Sequence, residues 1–429
     1  MRQIQSFNQI LIGLALAAST SLASAAMFSN ENDALESQNF NTSDTENYKA
    51  KSSLKLSIDR DFSAFTGADL NHALYRSYMW LDDTWIPSSQ GNTAYYAIGG
   101  RVLKTLLESR LSYFLMIHQH EVFGHGARAR EFNLPISNYS VGFNSGSVSF
   151  SGAKYLALHP HERMQFNLGG VEANTVLGNR IRNEFLEQQS MDVRESLMYL
   201  HAWYDQTRYV MSTRYERNLF SSGHDIQAYV SELNNWHEKQ VMTGSKLRKR
   251  SSIDILDPFL FFGTYNIVKY LWNGEQGFQY PSLEFAGYSY LPTFRNQLTP
   301  YGTEIQFLNY LRTPNSNVIQ AYFKYGKTGE KKSWGMGAEA RELVSLEKME
   351  ALKLGAKMDI WHQPRLLGAA QNTAGTKNKF GLSTSVLGSY NITNDFDLNA
   401  ELGFKTKGYV LAETLKASAL MRVGFTFRP

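Results

Sequence analysis

Two hydrophobic patterns divide the chain. From about residue 52 to residue 272, apolar residues recur at intervals of three and four, the spacing of amphipathic helices. After Tyr280 they alternate with polar residues to the end of the chain, which is typical of strands. We therefore predict an α+β protein, with a helical domain over residues 51–275 and an antiparallel β domain over residues 276–429.

Within the first region, residues 99–131 carry an apolar stripe at helical spacing that predicts one long, largely buried helix. Further helices are predicted at about 161–188, 190–219 and 224–241. Residues 139–151 alternate in polarity around Asn144, Ser145 and Gly146, which predicts a β-hairpin between the first two helices.

The second region contains about eight candidate strands, near residues 283–291, 303–312, 317–326, 333–344, 352–360, 380–392, 396–404 and 415–427. A soluble β domain would bury their apolar face, whereas a transmembrane barrel would turn that face to lipid and keep polar groups inside. We favour a barrel of about eight strands. The last strand resembles the terminal strand of outer-membrane proteins, which ends in an aromatic residue, although Arg428 and Pro429 follow Phe427 here.

The N-terminus is predicted to direct export. Residues 1–25 combine Arg2, a short apolar run over residues 10–17 and the small residues Ala23-Ser24-Ala25, the pattern of a cleaved signal peptide. Residues 26–50 are polar and predict a disordered spacer. We expect the protein in the cell envelope, at the outer membrane, with the periplasm as the alternative and with membrane lipid as a partner.

Composition narrows the chemistry. The sequence has no cysteine, so disulfides and thiolate metal ligands are excluded. The formal net charge of +4 is small for 429 residues and both signs are mixed, which does not indicate a nucleic-acid partner. A metal would have to be held by nitrogen and oxygen ligands.

One segment has the residue types of such a site. His120 and Glu121 are followed by Val122, Phe123, Gly124 and His125. Catalytic zinc is bound by three protein ligands and one water, and a Glu beside a ligand His is suited to take the proton of that water. We predict a Zn²⁺ site with His120 and His125 as ligands and Glu121 as the general base.

The spacing allows two registers. His120 and His125 are about 140° apart on a regular helix, so both can bind one ion only if a π-bulge absorbs the extra residue, which Gly124 would tolerate. On a straight helix, His118, Glu121 and His125 share a face instead and could bind zinc together. We favour the bulged register because it keeps Glu121 free as a base.

The His-Glu-x-x-Gly-His pattern at residues 120–125 resembles the motif of the dipeptidyl peptidase III family, and the resemblance covers little beyond these six residues. It implies that both histidines bind zinc, that Glu121 is the catalytic base and that a Glu on another helix completes the site. In the order of its helices the region also resembles zincin metallopeptidases with Glu as the third ligand.

For that third ligand we expect Glu172, which follows Gly169 and Gly170 in a segment of small and apolar residues. These glycines would permit close helix approach. Glu172 also has an ordinary explanation as an acid near a helix start. His224, at another helix start, is expected to stabilise an oxyanion.

The sequence therefore predicts a zinc-dependent peptidase of the bacterial cell envelope that acts on peptide or protein substrates. Two alternatives stay open. One is a non-catalytic outer-membrane protein in which zinc, bound by His118, Glu121 and His125, fixes the helical domain against the barrel. The other is a soluble periplasmic enzyme whose β domain recognises the substrate.

Overall fold

A computed structural model describes residues 53–85, 91–213, 223–346, 349–366 and 377–428. The predicted signal peptide and spacer lie outside the described residues. The helices are α1 (Ala64–Trp85), α2 (Tyr95–His118), a π-helix (Gln119–His125), α3 (Gly126–Phe132), α4 (Gly152–Leu156), α5 (Pro160–Gln188), α6 (Val193–Trp203), α7 (Asp205–Ser212), α8 (Asp225–Trp236), α9 (Gly244–Ser251), a 3₁₀-helix (Ser252–Leu256) and α10 (Pro258–Asn273).

The described strands are β1 (Leu54–Asp59), β2 (Ile136–Val141), β3 (Gly146–Phe150), β4 (Ser190–Asp192), β5 (Gly277–Gln279), β6 (Leu283–Phe285), β7 (Tyr288–Thr299), β8 (Gly302–Arg312), β9 (Val318–Thr328), β10 (Lys331–Leu346), β11 (Met349–Pro364), β12 (Asn378–Thr393), β13 (Phe396–Lys405) and β14 (Ser418–Phe427). Two short pairs, β2–β3 and β4–β5, stand apart from one large sheet. The β2–β3 pair is the predicted hairpin.

The large sheet is antiparallel and has the order β1-β14-β13-β12-β11-β10-β9-β8-β7-β6. The α+β class, with a helical region before the sheet, is confirmed. The prediction of about eight strands closed into a barrel is corrected, because the described sheet has ten strands and β1 and β6 remain its unjoined edges. β1 lies in the region predicted to be helical. Its partner β14 is at the other end of the chain, with Leu54 opposite Phe427. Local periodicity in the sequence does not indicate which distant strands pair with each other.

The two faces of the sheet differ in polarity as the alternation predicts. In β11 the Met358 side is exposed and the Asp359 side is buried, and in β14 Met421 and Val423 are exposed while Arg422 is buried. The buried face borders a cavity of about 620 Å³ whose lining includes charged residues of the sheet and of α5. The sheet therefore has a polar interior and an apolar exterior.

The N-terminal part of helix α2 also exposes its apolar residues, which corrects the prediction of a largely buried apolar stripe, whereas Leu115, Met116 and Ile117 near its end are buried as predicted. Leu103 and Leu107 are 61% and 63% exposed, whereas Arg101 and Glu108 are 2% and 1% exposed. The helical periodicity was real, but the charged face of the helix points toward neighbouring helices. Among the described residues, no helix is long and apolar enough to cross a membrane.

Other helix predictions need smaller corrections. The helix predicted at 161–188 is α5, which begins at Pro160. The helix predicted at 190–219 is divided into α6 and α7. The break is at Tyr204, whose φ of −92° and ψ of 6° differ from those of a regular α-helix. Residues 214–219 lie outside the described residues. The helix predicted at 224–241 ends earlier, at Trp236.

The π-helix packs closely on α5 through three glycines. A Cβ atom on Gly124 would lie 2.6 Å from the Gly169 carbonyl oxygen and 2.6 Å from the Gly170 Cα. A Cβ atom on Gly170 would lie 2.2 Å from His120 Nε2. The expectation that these glycines permit close helix approach is confirmed, and the contact holds the central motif against α5.

We predict that Gly124→Ala lowers the free energy of unfolding by about 1–3 kcal/mol, because the added methyl group meets backbone atoms that have no side-chain freedom to move away. Gly99→Ala is the matched control. It lies in α2 with nothing within 4 Å of its Cβ position and should stabilise the helix by about 0.5–1 kcal/mol. Denaturant titration of both variants measures the difference. An unchanged Gly124→Ala protein would contradict the close contact.

Candidate metal centre

The π-helix sets the register of the motif. It extends over residues 119–125, and the Gly126 N–H donates to the Glu121 carbonyl five residues earlier, so the extra residue is absorbed within the helix. The π-bulge that the favoured register requires is therefore present. The straight-helix alternative is wrong because the helix is not straight and because His118 Nδ1 lies 2.8 Å from Asn71 Oδ1, directed toward α1.

Three side-chain atoms converge at the end of this helix. His120 Nε2 and His125 Nε2 are 3.3 Å apart. Asp225 Oδ2 lies 3.1 Å from the first nitrogen and 3.2 Å from the second. In the described part of the chain, these residues form the one group of three or more His, Cys, Asp or Glu side chains close enough to hold a metal ion.

Both imidazole rings are oriented by partners on their other nitrogen. His125 Nδ1 lies 2.9 Å from the Phe166 carbonyl oxygen, which only accepts, so this nitrogen carries the proton. His120 Nδ1 lies 3.1 Å from Asp205 Oδ2, an equally clear acceptor. In their neutral form, with the proton on Nδ1, both rings would present an Nε2 lone pair toward each other and toward Asp225. This is the arrangement in which metal-binding histidines are usually held.

The spacing fits a tetrahedral ion. Nitrogen ligands at the ~2.0–2.1 Å distance of zinc are about 3.3–3.4 Å apart when the coordination is tetrahedral. The triangle of donor atoms has sides of 3.1, 3.2 and 3.3 Å. The three donors can thus share one small cation without moving far.

Electrostatics also favours a positive charge here. Burial lowers the pKa of His120, but its hydrogen bonds to Asp205 and Asp225 outweigh burial and hold the pKa well above its ordinary value. Burial likewise opposes the charged form of His125, and Asp225 raises its pKa overall. Burial raises the pKa of Asp225, yet the two histidines hold it far below its usual range. The site attracts cations.

Glu172 is not brought to the two histidines. Its Oε2 accepts from Arg128 Nε at 3.0 Å, and its Oε1 accepts from the Ala412 backbone N–H at 2.7 Å. These bonds join α5 to α3 and to the segment before β14. Glu172 therefore does not lie where the third ligand was expected, since it is held in a buried ion pair on another side of α5, and Asp225 is the carboxylate beside the two histidines.

Glu121 lies beside the triangle and does not take part in it. Burial raises its pKa, and the nearby His120 and His125 lower it in part. Among the described residues its carboxylate has no hydrogen-bond partner, while Gly146 of the hairpin packs directly on it. A carboxylate in this position is free to accept a proton from a molecule bound at the site.

His224 precedes Asp225 and caps α8. Its Nδ1 accepts from the Gln227 N–H at 3.3 Å and its Nε2 lies 3.1 Å from Ser212 Oγ. Its ring meets Tyr209 edge-on, and Tyr209 in turn stacks on His120 with ring centroids 5.5 Å apart. His224 is thus near the centre, and its expected role with an oxyanion stays a prediction.

Sequence reasoning missed Asp225 and Asp205. Each begins a helix, where an acid is favoured by the helix dipole alone, so neither stands out in the sequence. The one available signal was that Asp225 adjoins His224. Their convergence depends on how α7 and α8 pack around the motif.

Comparisons of the chain with protein-family models, with curated protein sequences and with solved structures gave no match.

We predict that Asp225→Ala weakens zinc binding by more than about 100-fold, because loss of an outer-shell partner alone typically costs 10–100-fold. Asp205→Asn, which changes only the partner of His120 Nδ1, should cost about 10–100-fold. Zinc competition with a chelating dye measures both affinities.

Glu172→Gln is the contrasting variant. It should lower stability by about 3–5 kcal/mol, since Arg128 would be left as a buried charge with a weaker partner, yet zinc affinity of the folded protein should stay near the original value. Zinc loss in Glu172→Gln below its unfolding midpoint, with zinc retained in Asp225→Ala, would reverse the assignment.

Proposed function

We propose that this protein is a zinc-dependent peptidase of the bacterial cell envelope. The observation that carries the proposal is the triangle formed by His120 Nε2, His125 Nε2 and Asp225 Oδ2, with sides of 3.1–3.3 Å and the carboxylate of Glu121 beside it. Two histidines and one carboxylate are a ligand set of catalytic zinc. Zinc in preference to another metal is part of the proposal.

The number of ligands supports catalysis. Structural zinc sites are closed by four protein ligands, whereas catalytic sites use three and leave a position for water. The described residues supply three, and the Asp225 side chain is 25% exposed, so the centre can be reached from outside. The non-catalytic alternative used His118 and Glu121 as ligands, and neither belongs to the triangle.

The positions of these residues support a separate role for each of them in hydrolysis. Bound zinc would polarise a substrate carbonyl and acidify water. Glu121 would take a proton from that water and pass it to the departing amine. Asp205 and the Phe166 carbonyl would hold the two imidazoles in the required tautomer, and His224 would donate to the oxyanion.

A polypeptide substrate is favoured by the hairpin. β2 and β3 form a two-stranded pair without further strands, and position 146 of β3 lies against Glu121. An extended peptide that paired with the hairpin edge would be held by backbone hydrogen bonds with its carbonyls directed toward the centre.

An outer-membrane location is proposed from the polarity of the sheet. A sheet in water buries its apolar face, but here Val386, Leu402 and Val423 are among the exposed side chains and Asp359, Lys405 and Arg422 are among the buried ones. Alternation with apolar side chains outside and polar side chains inside is the pattern of membrane strands.

We predict that Glu121→Gln retains zinc and loses activity by about 10²–10⁴-fold, because it removes the proton acceptor and leaves the ligands intact. Hydrolysis of a fluorescence-quenched peptide library by the zinc-loaded protein gives the rate. His120→Ala and His125→Ala should lose zinc as well as activity.

Two controls accompany this experiment. Glu330→Gln removes a surface carboxylate far from the centre in sequence and should change neither quantity, and His118→Ala should retain zinc. Full zinc binding by His120→Ala, or full activity of Glu121→Gln, would exclude the proposed mechanism.

For the location, we predict that Val423→Arg reduces the amount of folded protein in the membrane fraction, since an Arg on a lipid-facing strand costs about 2–4 kcal/mol near the bilayer midplane. Val423→Ala, which stays apolar, should fractionate normally. A surface position in water would tolerate both changes within about 0.5 kcal/mol. Recovery of the original protein without detergent in a soluble fraction would contradict the location.

A further inference from the structure

Three helices next to the sheet also expose large apolar side chains while many of their polar side chains are buried. The exposed large apolar residues are Leu74, Trp80, Leu81 and Trp85 on α1, Val102, Leu103, Leu106 and Leu107 on α2, and Phe261, Tyr265, Val268 and Trp272 on α10. The polar residues of the same helices include Asn71, His72, Arg76, Arg101, Glu108 and Asn266, all buried. Helices packed on a protein core from water have the opposite arrangement.

The buried polar groups of α2 are used inside the protein. Arg101 donates from Nε to the Leu271 carbonyl at 3.1 Å and from Nη2 to the Trp272 carbonyl at 2.7 Å, at the end of α10. Lys104 Nζ donates to Asp82 Oδ2 on α1 at 2.6 Å. The charges of α2 therefore join the three helices to each other and leave its outward face without charge over residues 102–107.

The other two helices repeat this arrangement. On α1, His72 and Arg76 turn inward to the Glu195 carboxylate of α6 at 2.8 and 2.7 Å. On α10, Asn266 Nδ2 donates to the Met191 carbonyl at 3.0 Å. These polar groups of α1 and α10 therefore face the interior, while the large apolar residues named above face out together with a few charged ones, such as Asp83 on α1 and Arg110 on α2.

These helices stand between the two free edges of the sheet. α1 follows β1 and packs against it, α2 packs against both α1 and α10, and α10 leads through β5 into β6. The strands at those edges also expose apolar residues, Ile58 on β1 and Leu283 and Phe285 on β6. The apolar exterior of the sheet therefore continues across the helices.

Aromatic residues mark one end of this surface. Trp85 ends α1, Tyr95 and Tyr96 begin α2, and Trp272 lies in the last turn of α10, all highly exposed. Arg101 brings these ends together through its bonds to α10 and to the Asn92 carbonyl at 2.7 Å. Trp and Tyr are enriched where a membrane surface meets water.

We infer that the outward faces of α1, α2 and α10 contact lipid hydrocarbon and complete the apolar surface that the open sheet leaves unfinished. The occupant of this surface is the acyl region of the membrane. An aqueous exposure would leave about a dozen large apolar side chains in water, which is unfavourable because each loses the free energy that burial of apolar area provides.

The inference names a substrate class for the proposed peptidase, on which it rests. The outward face of α2 leads to the centre, since Phe114 packs on Phe143 at the hairpin tip with ring centroids 4.9 Å apart, and Gly146 of the same hairpin contacts Glu121. Leu107 is 11 residues before His118, about 16 Å along the helix. A polypeptide embedded in or anchored to the membrane would reach the centre directly from the bilayer.

The lipid contact can be tested with nitroxide labels, because the chain has no native cysteine. Leu107→Cys and Val268→Cys report on α2 and α10, Met421→Cys on the sheet exterior, and Glu330→Cys on a site in water. The full-length protein is reconstituted in phosphatidylcholine and phosphatidylglycerol vesicles, and collision rates with oxygen and with a water-soluble nickel chelate are compared.

We expect labels at positions 107 and 268 to favour oxygen as the label at 421 does, and the label at 330 to favour nickel. Nickel-favoured collisions at 107 and 268, with oxygen-favoured collisions at 421, would overturn the inference and leave the membrane location intact. Protection of 107 and 268 from both reagents would show a protein partner, such as a second copy, and would also overturn it. Nickel-favoured collisions at all four positions would refute the membrane location itself.

The substrate class is tested with one cleavable peptide from the library in two forms, free and carrying a palmitoyl anchor, both with the same vesicles. We expect kcat/KM for the anchored form to be higher by at least about tenfold, and this advantage to disappear when the vesicles are replaced by detergent micelles. Equal cleavage of both forms on vesicles would overturn the substrate class while supporting the peptidase. Cleavage of neither form by zinc-loaded protein would refute the peptidase instead.

Discussion

The close approach of the π-helix to α5 is the contact on which the site depends. The Nε2 atoms of His120 and His125 lie close enough to share one ion because the helix between them widens, and the widened turn fits because Gly124 faces Gly169 and Gly170. A π-helix is intrinsically less stable than an α-helix, so tertiary packing must hold it. The contact lies between glycine backbones, which cannot rearrange, and it therefore positions the two imidazoles rigidly.

A second constraint follows from the inverted polarity of the molecule. Buried ions are costly unless they are paired, and the interior meets this condition through bonds such as those from Arg76 to Glu195 and from Arg128 to Glu172. The same bonds tie helices that are far apart in sequence. The interior thus combines these polar contacts with buried apolar clusters, such as the one that contains Phe185 and Trp203, while further large apolar groups lie outside on the sheet and the neighbouring helices.

The candidate centre joins these two features. α2 carries an apolar face outward and ends in the motif, α7 and α8 contribute Asp205 and Asp225, and α5 supplies the Phe166 carbonyl. The first carboxylate orients His120 and the second shares the position between both histidines. The proposed reaction would use Glu121 as the base and the hairpin beside it to hold the substrate, and both adjoin the three donor atoms in the fold.

Local patterns in the sequence determined much of the secondary structure of this protein and the local geometry of its central motif. The alternation after Tyr280 located the eight long strands and separated their two faces, and the spacing of His120 and His125 required a π-bulge. Periodicity distinguishes the two faces of a single helix or strand, however, and does not indicate which of these faces a neighbouring element covers. Only the tertiary structure decided that α2 buries Arg101 and Glu108, that β1 joins β14, and that Asp225 lies beside the two histidines where Glu172 was expected. Those outcomes depend on contacts between residues distant in sequence, whose local signals are those of ordinary helix starts and short strands.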